Sequence, residues 1–249
     1  MKRVRRQWKA RLILTIVLLI ASFGTATASE NVTGTGFVIS PDGLVLTNRH
    51  VVERCMGPIE VKYIVSGLSH AVIVAKGQGL DFALLSTGFR NVPYLRLRRI
   101  DKNGTLPIRD ELVHTLGFID GEFSPRGGVI TDISDPVLGE RTGDPRSNAL
   151  GAIISLNSGR GASGSPVLDN TGLLIGIIWG VDELRRDFVT PHMLNNIAIY
   201  AFLKANGVLA QMANKGPYDP VDSKNVWDHF TDIVGNMGGT TVQISCPIG

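Results

Sequence analysis

An all-β architecture of short strands is predicted by three features of this sequence. Its 29 glycines and 12 prolines are spread along 249 residues rather than clustered, which favours many short elements joined by turns over long helices. Short apolar runs recur between turn signals over most of the chain, the texture of strands rather than of amphipathic helices. Only Pro191 to Leu203 breaks that rhythm, because Leu194, Ile197, Ala198 and Ala201 recur at helical spacing after a proline, so one C-terminal helix is expected over residues 191–205. With 43% hydrophobic and 19% charged residues, the chain is globular in composition and long enough for one large domain or two small ones.

Residues 1–28 stand apart. Lys2, Arg3, Arg5, Arg6, Lys9 and Arg11 precede the apolar run Leu12 to Phe23, and Ala26-Thr27-Ala28 follows. This order reads as a secretory signal peptide cleaved after Ala28. The rival is an uncleaved anchor, but the apolar run is shorter than the roughly 20 residues that cross a bilayer. An exported protein, periplasmic or secreted and with no stable membrane span after cleavage, is therefore expected. The leader holds six of the 25 basic residues and none of the 22 acidic ones, so the remaining chain has 19 basic against 22 acidic residues, a formal charge of −3. Nucleic acid is not an expected partner, since the excess positive charge belongs to the leader.

Cys55 and Cys246 are the only cysteines. In an oxidising compartment they can form one long-range disulfide, and two independent thiols are the alternative. Neither has a second cysteine or histidine at zinc-ligand spacing, and no metal site is expected.

In chain order, Asn31 to Ser40 and Leu44 to Thr47 flank the turn Pro41-Asp42-Gly43 and read as a hairpin. His50 follows where the second strand ends. The runs Ile59 to Val65 and Ala71 to Ala75 continue the pattern, and Asp81 opens the apolar run Phe82 to Leu85. Residues 91–104, with Arg96, Arg98, Arg99 and Lys102, read as a basic connection between two halves. The second half repeats the β texture at Leu112 to Phe118, Gly128 to Ile133, Ala149 to Leu156, Ser165 to Leu168 and Leu173 to Trp179. After Asn206 the chain is polar and glycine-rich, ends in a short β-like stretch from Thr240 to Ile244, and has no assigned role.

The segment Gly159-Arg160-Gly161-Ala162-Ser163-Gly164-Ser165-Pro166 organises the candidate chemistry. A serine between glycines sits on a tight turn with its hydroxyl exposed, and the N–H groups of Gly161 and Ser163 are placed to receive a developing oxyanion. Acyl transfer also requires a base that titrates near neutrality and an acid that fixes its tautomer. His50 and Asp81 supply those residue types. Each also has a plainer reading, the histidine as a packed strand-end residue and the aspartate as a turn former.

Thr47-Asn48-Arg49-His50-Val51-Val52, Asp81-Phe82-Ala83-Leu84-Leu85 and Gly161-Ala162-Ser163-Gly164-Ser165-Pro166, in the order His, Asp, Ser, resemble the chymotrypsin-like serine peptidases. Gly34-Thr35-Gly36-Phe37-Val38-Ile39 and Leu174-Ile175-Gly176-Ile177-Ile178-Trp179-Gly180 resemble most the glutamyl endopeptidase-like and HtrA-like bacterial branches. The similarity covers residues 31–205. It implies two packed six-stranded antiparallel β-barrels with the site between them and a helix behind: an N-terminal barrel over 29–100 carrying His50 and Asp81, a C-terminal barrel over 101–190 carrying Ser163, and a tail from 206. It also implies Ser163 as nucleophile, His50 as general base, Asp81 as the orienting carboxylate, and Gly161 and Ser163 as the oxyanion hole. Asn157, Ser158, Ile178 and Trp179 are the implied substrate-binding residues, with the Gly180 backbone pairing to an extended protein or peptide substrate and no cofactor required.

The sequence departs from the family pattern in ways that shape the expectation. Asn157 stands where trypsin-like pockets carry an acid, and Ile178 precedes Trp179-Gly180 where glutamyl endopeptidases carry a histidine, so a neutral pocket is expected. Ala162 stands where zymogen-type relatives carry an aspartate that captures a new N-terminal amine, so the oxyanion turn must be held by other contacts. No PDZ-sized segment follows the expected helix. The leading expectation is an exported serine endopeptidase; a protease-fold binding module without turnover and an esterase using the same triad are the alternatives.

Overall fold

The computed structural model describes residues 31–64, 67–100, 106–134, 139–140, 143, 150–156, 158–181, 191–214, 216 and 226–248. In chain order its strands are β1 (Asn31–Val38), β2 (Leu44–Thr47), β3 (Ile59–Tyr63), β4 (Gly67–Lys76), β5 (Ala83–Ser86), β6 (Leu97–Arg98), β7 (Leu112–Thr115) and β8 (Phe118–Ile119). They continue with β9 (Glu122–Phe123), β10 (Arg126–Asp132), β11 (Gly151–Ser155), β12 (Pro166–Asp169), β13 (Leu174–Val181), β14 (Pro191–Asn195), β15 (Met212–Ala213) and β16 (Thr241–Pro247). Helices span Asn196–Ala205 and Val226–Met237. The expected signal peptide lies outside the described residues.

Side-chain alternation builds the first barrel. In β3, Ile59, Val61 and Tyr63 face inward while Glu60 and Lys62 face out, the period of a half-buried strand. The strands close in the order β1-β16-β3-β4-β5-β2, around a core of Val38, Val45, Val61, Tyr63, Leu85, Val242 and Ile244. The second barrel runs β12-β7-β10-β11-β14-β13 and closes through the β12–β13 pairing, with β6 and β15 added beside β13 as short parallel edges. Its core holds Val113, Ile130, Ile154, Val167, Ile175, Ile178 and Met193. A third cluster joins the two barrels and the first helix, with Phe37, Leu46 and Phe82 meeting Leu168, Leu174, Ile177 and Phe202. The all-β, two-barrel architecture with a short C-terminal helix is present.

Three boundaries differ from the sequence reading. The helix expected over 191–205 begins at Asn196, because Asn195 caps it by accepting from the N–H groups of Ile197 and Ala198. Pro191–Asn195 is instead β14, hydrogen-bonded between β11 and β13, and a proline is tolerated there as the first residue of a strand. The first barrel is not completed within residues 29–100: its sixth strand is β16, which lies between β1 and β3, with Gly34 opposite Ile244 and Val61 opposite Ile244 on the other side. The tail also carries the helix Val226–Met237, whose Ile233 is fully buried.

Cys55 and Cys246 are bonded, with Cα atoms 5.5 Å apart and a sequence separation of 191. The Met56 N–H donates to the Pro247 carbonyl at 2.9 Å beside the bond, so β16 is fastened to the turn that follows the His50 segment. Closing so long a loop restricts the unfolded chain. Cys246→Ser should therefore lower the free energy of unfolding by about 3–5 kcal/mol in denaturant titration, and non-reducing peptide mapping should recover the two cysteines in one linked fragment.

Candidate active site

A short helical turn, Arg49–Val52, and a tight loop after β4 bring His50 and Asp81 together. The Gly77 N–H donates to the Phe82 carbonyl at 2.8 Å and the Phe82 N–H to the Leu80 carbonyl at 2.9 Å, closing the loop that presents Asp81. Phe82 anchors that loop: it is fully buried and stacks on Phe202 of the first helix with ring centroids 5.1 Å apart. The Asp81 carbonyl accepts from Asn48 Nδ2 at 3.0 Å and from the Arg49 N–H at 3.3 Å. Its carboxylate accepts from the His50 backbone N–H through Oδ1 at 2.9 Å, and its Oδ2 lies 2.5 Å from His50 Nδ1. The carboxylate is thus aimed by backbone as well as by the ring. Asp81 is 15% exposed at its side chain and His50 43%, which leaves the far edge of the imidazole open to solvent.

The serine turn is held on three sides. The Ala162 N–H donates to Gly159 at 3.2 Å, the Ser165 N–H to Ala162 at 3.0 Å, and the Gly164 N–H to Ile178 at 2.9 Å, while the Ile178 N–H returns to Ser165 at 2.8 Å. Among the described residues the N–H groups of Gly161 and Ser163 make no hydrogen bond. Between Gly161 and Ser165 the donors of Ala162, Gly164 and Ser165 are thus engaged, and those of Gly161 and Ser163, on either side of Ala162, stay open. Gly161 and Gly164 have φ of +92° and +87°, and a Cβ on Gly164 would lie 1.9 Å from the Thr35 carbonyl oxygen and 2.6 Å from Thr47 Oγ1. That close approach seats the residue after Ser163 against the strand end that leads into His50.

Thr35 is the residue that sequence reasoning missed. It is fully buried. Its N–H donates to the Ser163 carbonyl at 2.9 Å, its hydroxyl donates to the Gly161 carbonyl at 2.8 Å and accepts from the Phe118 N–H at 2.9 Å, and its carbonyl accepts from Thr47 Oγ1 at 2.7 Å. A hairpin was missed as well. Phe118 pairs with Phe123 and Ile119 with Glu122 across Asp120-Gly121, both at positive φ. Asp-Gly between short apolar-containing runs is the signal that finds such a turn. The Asp120 N–H donates to the Arg160 carbonyl at 2.9 Å.

Of the expected substrate-binding residues, Asn157 lies outside the described residues. Ser158 is buried. The Ile178 side chain packs in the second-barrel core, and its backbone is engaged by the serine turn. Trp179 is buried and meets His192 edge-on with ring centroids 6.4 Å apart. A bulge in the β13–β14 pairing falls at this point, and among the described residues a Cβ on Gly180 would meet nothing within 4 Å. Among the described residues no three His, Cys, Asp or Glu side chains gather to hold a metal ion, and no helix is long and apolar enough to cross a membrane.

The chain matches the family model described as a trypsin-like peptidase domain over residues 34–177, more than half its length. Among curated proteins it is 32% identical over 181 residues to the pro-apoptotic serine protease NMA111 of Lodderomyces elongisporus, covering 69% of this chain and 18% of that protein. It is 25% identical over 182 residues to a probable periplasmic serine endoprotease DegP-like of Chlamydia pneumoniae, covering 68% of this chain and 36% of the other. The chain thus spans well under half the length of these relatives. Among solved structures, Rv3671c of M. tuberculosis H37Rv, in an inactive serine-to-alanine form, superposes with a TM-score of 0.55 at 26% identity, covering 70% of this chain and 81% of that one.

The seating of the serine turn is testable through stability alone. Gly164→Ala combines a left-handed backbone with a collision against the Thr35 carbonyl and should cost about 2–4 kcal/mol in denaturant unfolding. Gly207→Ala, at φ +72° with nothing within 4 Å of its Cβ, should cost only about 1–2 kcal/mol, the strain of the backbone alone. Equal costs at the two positions would mean that the contact with Thr35 is not tight.

Proposed function

The chain belongs to the trypsin-like peptidase domain family, and from that membership we propose that it is an exported serine endopeptidase working through Ser163, His50 and Asp81. The observation that carries the reading is the aim of Asp81. One oxygen is held by the His50 backbone N–H and the other faces Nδ1 at 2.5 Å, which favours the tautomer with the proton on Nδ1 and the lone pair on Nε2.

In this scheme His50 Nε2 takes the proton of the Ser163 hydroxyl as Oγ attacks the substrate carbonyl carbon. The carbonyl oxygen becomes an oxyanion, and the open N–H groups of Gly161 and Ser163 receive it. The imidazolium, stabilised by Asp81, then protonates the leaving amine as the C–N bond breaks. A water, deprotonated by the same ring, releases the acyl group from Ser163 and restores the serine. Thr35 holds the Gly161 and Ser163 carbonyls and so fixes the peptides that follow each of the two donor residues. Export is supported by the leader-like residues 1–28 and by the periplasmic description of the Chlamydia relative.

A fluorophosphonate probe should label Ser163 in the purified protein, and Ser163→Ala should abolish both labelling and peptide hydrolysis. His50→Ala should abolish turnover too, and the double variant should be little worse than either single one, because proton removal and attack are one event. Asp81→Ala should reduce kcat by on the order of 10⁴-fold. Near-normal hydrolysis by Asp81→Ala would overturn the assignment of the acid.

The substrate pocket should be neutral. Asn157 stands in place of an acid, and the Ile178 side chain is taken up in the second-barrel core rather than presenting a charged group, so a buried lysine, arginine or glutamate side chain would lose its hydration without gaining a partner. Digestion of a peptide library should be dominated by cuts after uncharged residues of small to medium size. A digest dominated by cuts after Lys, Arg or Glu would refute this.

A further inference from the structure

An oxyanion donor works only if its N–H faces the substrate. In a trans peptide the carbonyl of one residue and the N–H of the next point in opposite directions. The Asp120 N–H, by holding the Arg160 carbonyl at 2.9 Å, therefore fixes the direction of the Gly161 N–H. Half a turn of that one peptide would place an acceptor where the donor should be.

Asp120 sits at the tip of the β8–β9 hairpin, whose strands are two residues each. So short a hairpin has little stability of its own, and its position depends on what it rests against. On one side it meets Thr35 through the Phe118 N–H, and a Cβ on Gly161 would lie 2.6 Å from the Phe118 carbonyl oxygen. On the other side it meets the C-terminal segment. A Cβ on Gly238 would lie 3.3 Å from Phe123 Cζ, and one on Gly121 would lie 3.8 Å from Gln243 Nε2. Phe123, Val234 and Met237 pack against the cluster that contains Ile233, and the Phe123 ring meets Phe118 edge-on with centroids 5.7 Å apart.

The C-terminal segment is itself immobilised. β16 is paired on both edges and Cys246 is bonded to Cys55, five residues after His50. The geometry points to residues 226–247 as a built-in brace of the oxyanion turn, with Phe123 as the positioning residue that passes its support through the hairpin to Gly161. This inference rests on the oxyanion assignment made above. It supplies what the alanine at position 162 requires, an internal contact in place of a captured amine.

The test compares the full-length enzyme with Phe123→Ala and Phe123→Leu, using a chromogenic peptide with an uncharged residue before the cleaved bond and a peptide aldehyde of the same sequence. Loss of the brace should lower kcat of Phe123→Ala by about 10–100-fold, less than or comparable to removal of a hole donor itself. KM and the acid limb of the pH–rate profile should stay within about twofold and about 0.3 pH units of wild type, since neither binding nor the His50–Asp81 pair is touched. Affinity for the aldehyde, whose adduct carries the oxyanion, should fall in parallel with kcat. Phe123→Leu, which keeps an apolar contact with Gly238, should retain most activity. Unchanged kcat in Phe123→Ala, or a loss in which KM and the pH limb move as well, would overturn the brace. If circular dichroism shows that the alanine variant does not fold, Phe123→Val is judged by the same criteria. Wild-type protein that neither hydrolyses peptide nor reacts with a fluorophosphonate would overturn the peptidase reading, a result distinct from either outcome for Phe123.

Discussion

One buried threonine ties the two halves of the molecule at the point where they must agree. Thr35 belongs to β1, yet its N–H, hydroxyl and carbonyl reach the Ser163 turn, the β8–β9 hairpin and Thr47, each within 2.9 Å. Because the hydroxyl both donates and accepts, Thr35 keeps its own polar atoms paired in a fully buried position. The two barrels have separate apolar cores and meet through a shared apolar cluster, whose burial is non-directional. Directional bonds at Thr35 set their register, and the collision awaiting any Cβ on Gly164 shows how closely the surfaces meet.

The candidate site is built the same way, by elements that constrain one another across long stretches of sequence. Asp81 is aimed by the backbone of His50, the loop bearing Asp81 is pinned by Phe82 against Phe202, and the serine turn is laced to β13 through both polar groups of Ile178. Each loop is held by a residue outside it: Phe202 for the Asp81 loop and Ile178 for the serine turn. Preorganisation of this kind lets a few glycine-rich segments hold open N–H groups and a carboxylate in fixed directions, which is what the proposed chemistry requires when charge develops.

Local chemistry was legible in the sequence; remote pairing was not. Short apolar runs exposed β3 and β5, and the residues flanking His50, Asp81 and Ser163 carried the family resemblance because each of the three proposed roles needs a distinctive local turn. Pro191 was misleading, since a proline can open a strand as well as a helix and the cap that starts the helix, Asn195, is an ordinary loop residue in composition. The stretch Thr240 to Ile244 was recognisable as β-like, yet nothing in its residues names β1 and β3 as its neighbours: pairing across some 200 residues is decided by shape and register of the whole barrel. Thr35 was invisible for a related reason. Its partners come from three distant segments, and a hydroxyl between two glycines looks like any turn residue. The Asp120-Gly121 turn was readable and was overlooked.

The placement of β16 also orders events in time. A chain made from its N-terminus threads out β1 to β5 first, but the first barrel lacks a sixth strand until residues 241–247 have followed. During that interval β1 and β3 present unpaired edges, whereas the last of the six strands of the second barrel ends at Asn195, before β16 begins. The half that carries the histidine and the aspartate is therefore the last to close, and the pairing that closes it is the most distant in sequence, the kind that forms slowly. An incomplete chain holds the serine turn before the histidine and the aspartate are firmly mounted. Vectorial synthesis thus separates the appearance of the proposed nucleophile from the closing of the barrel that carries its proposed partners.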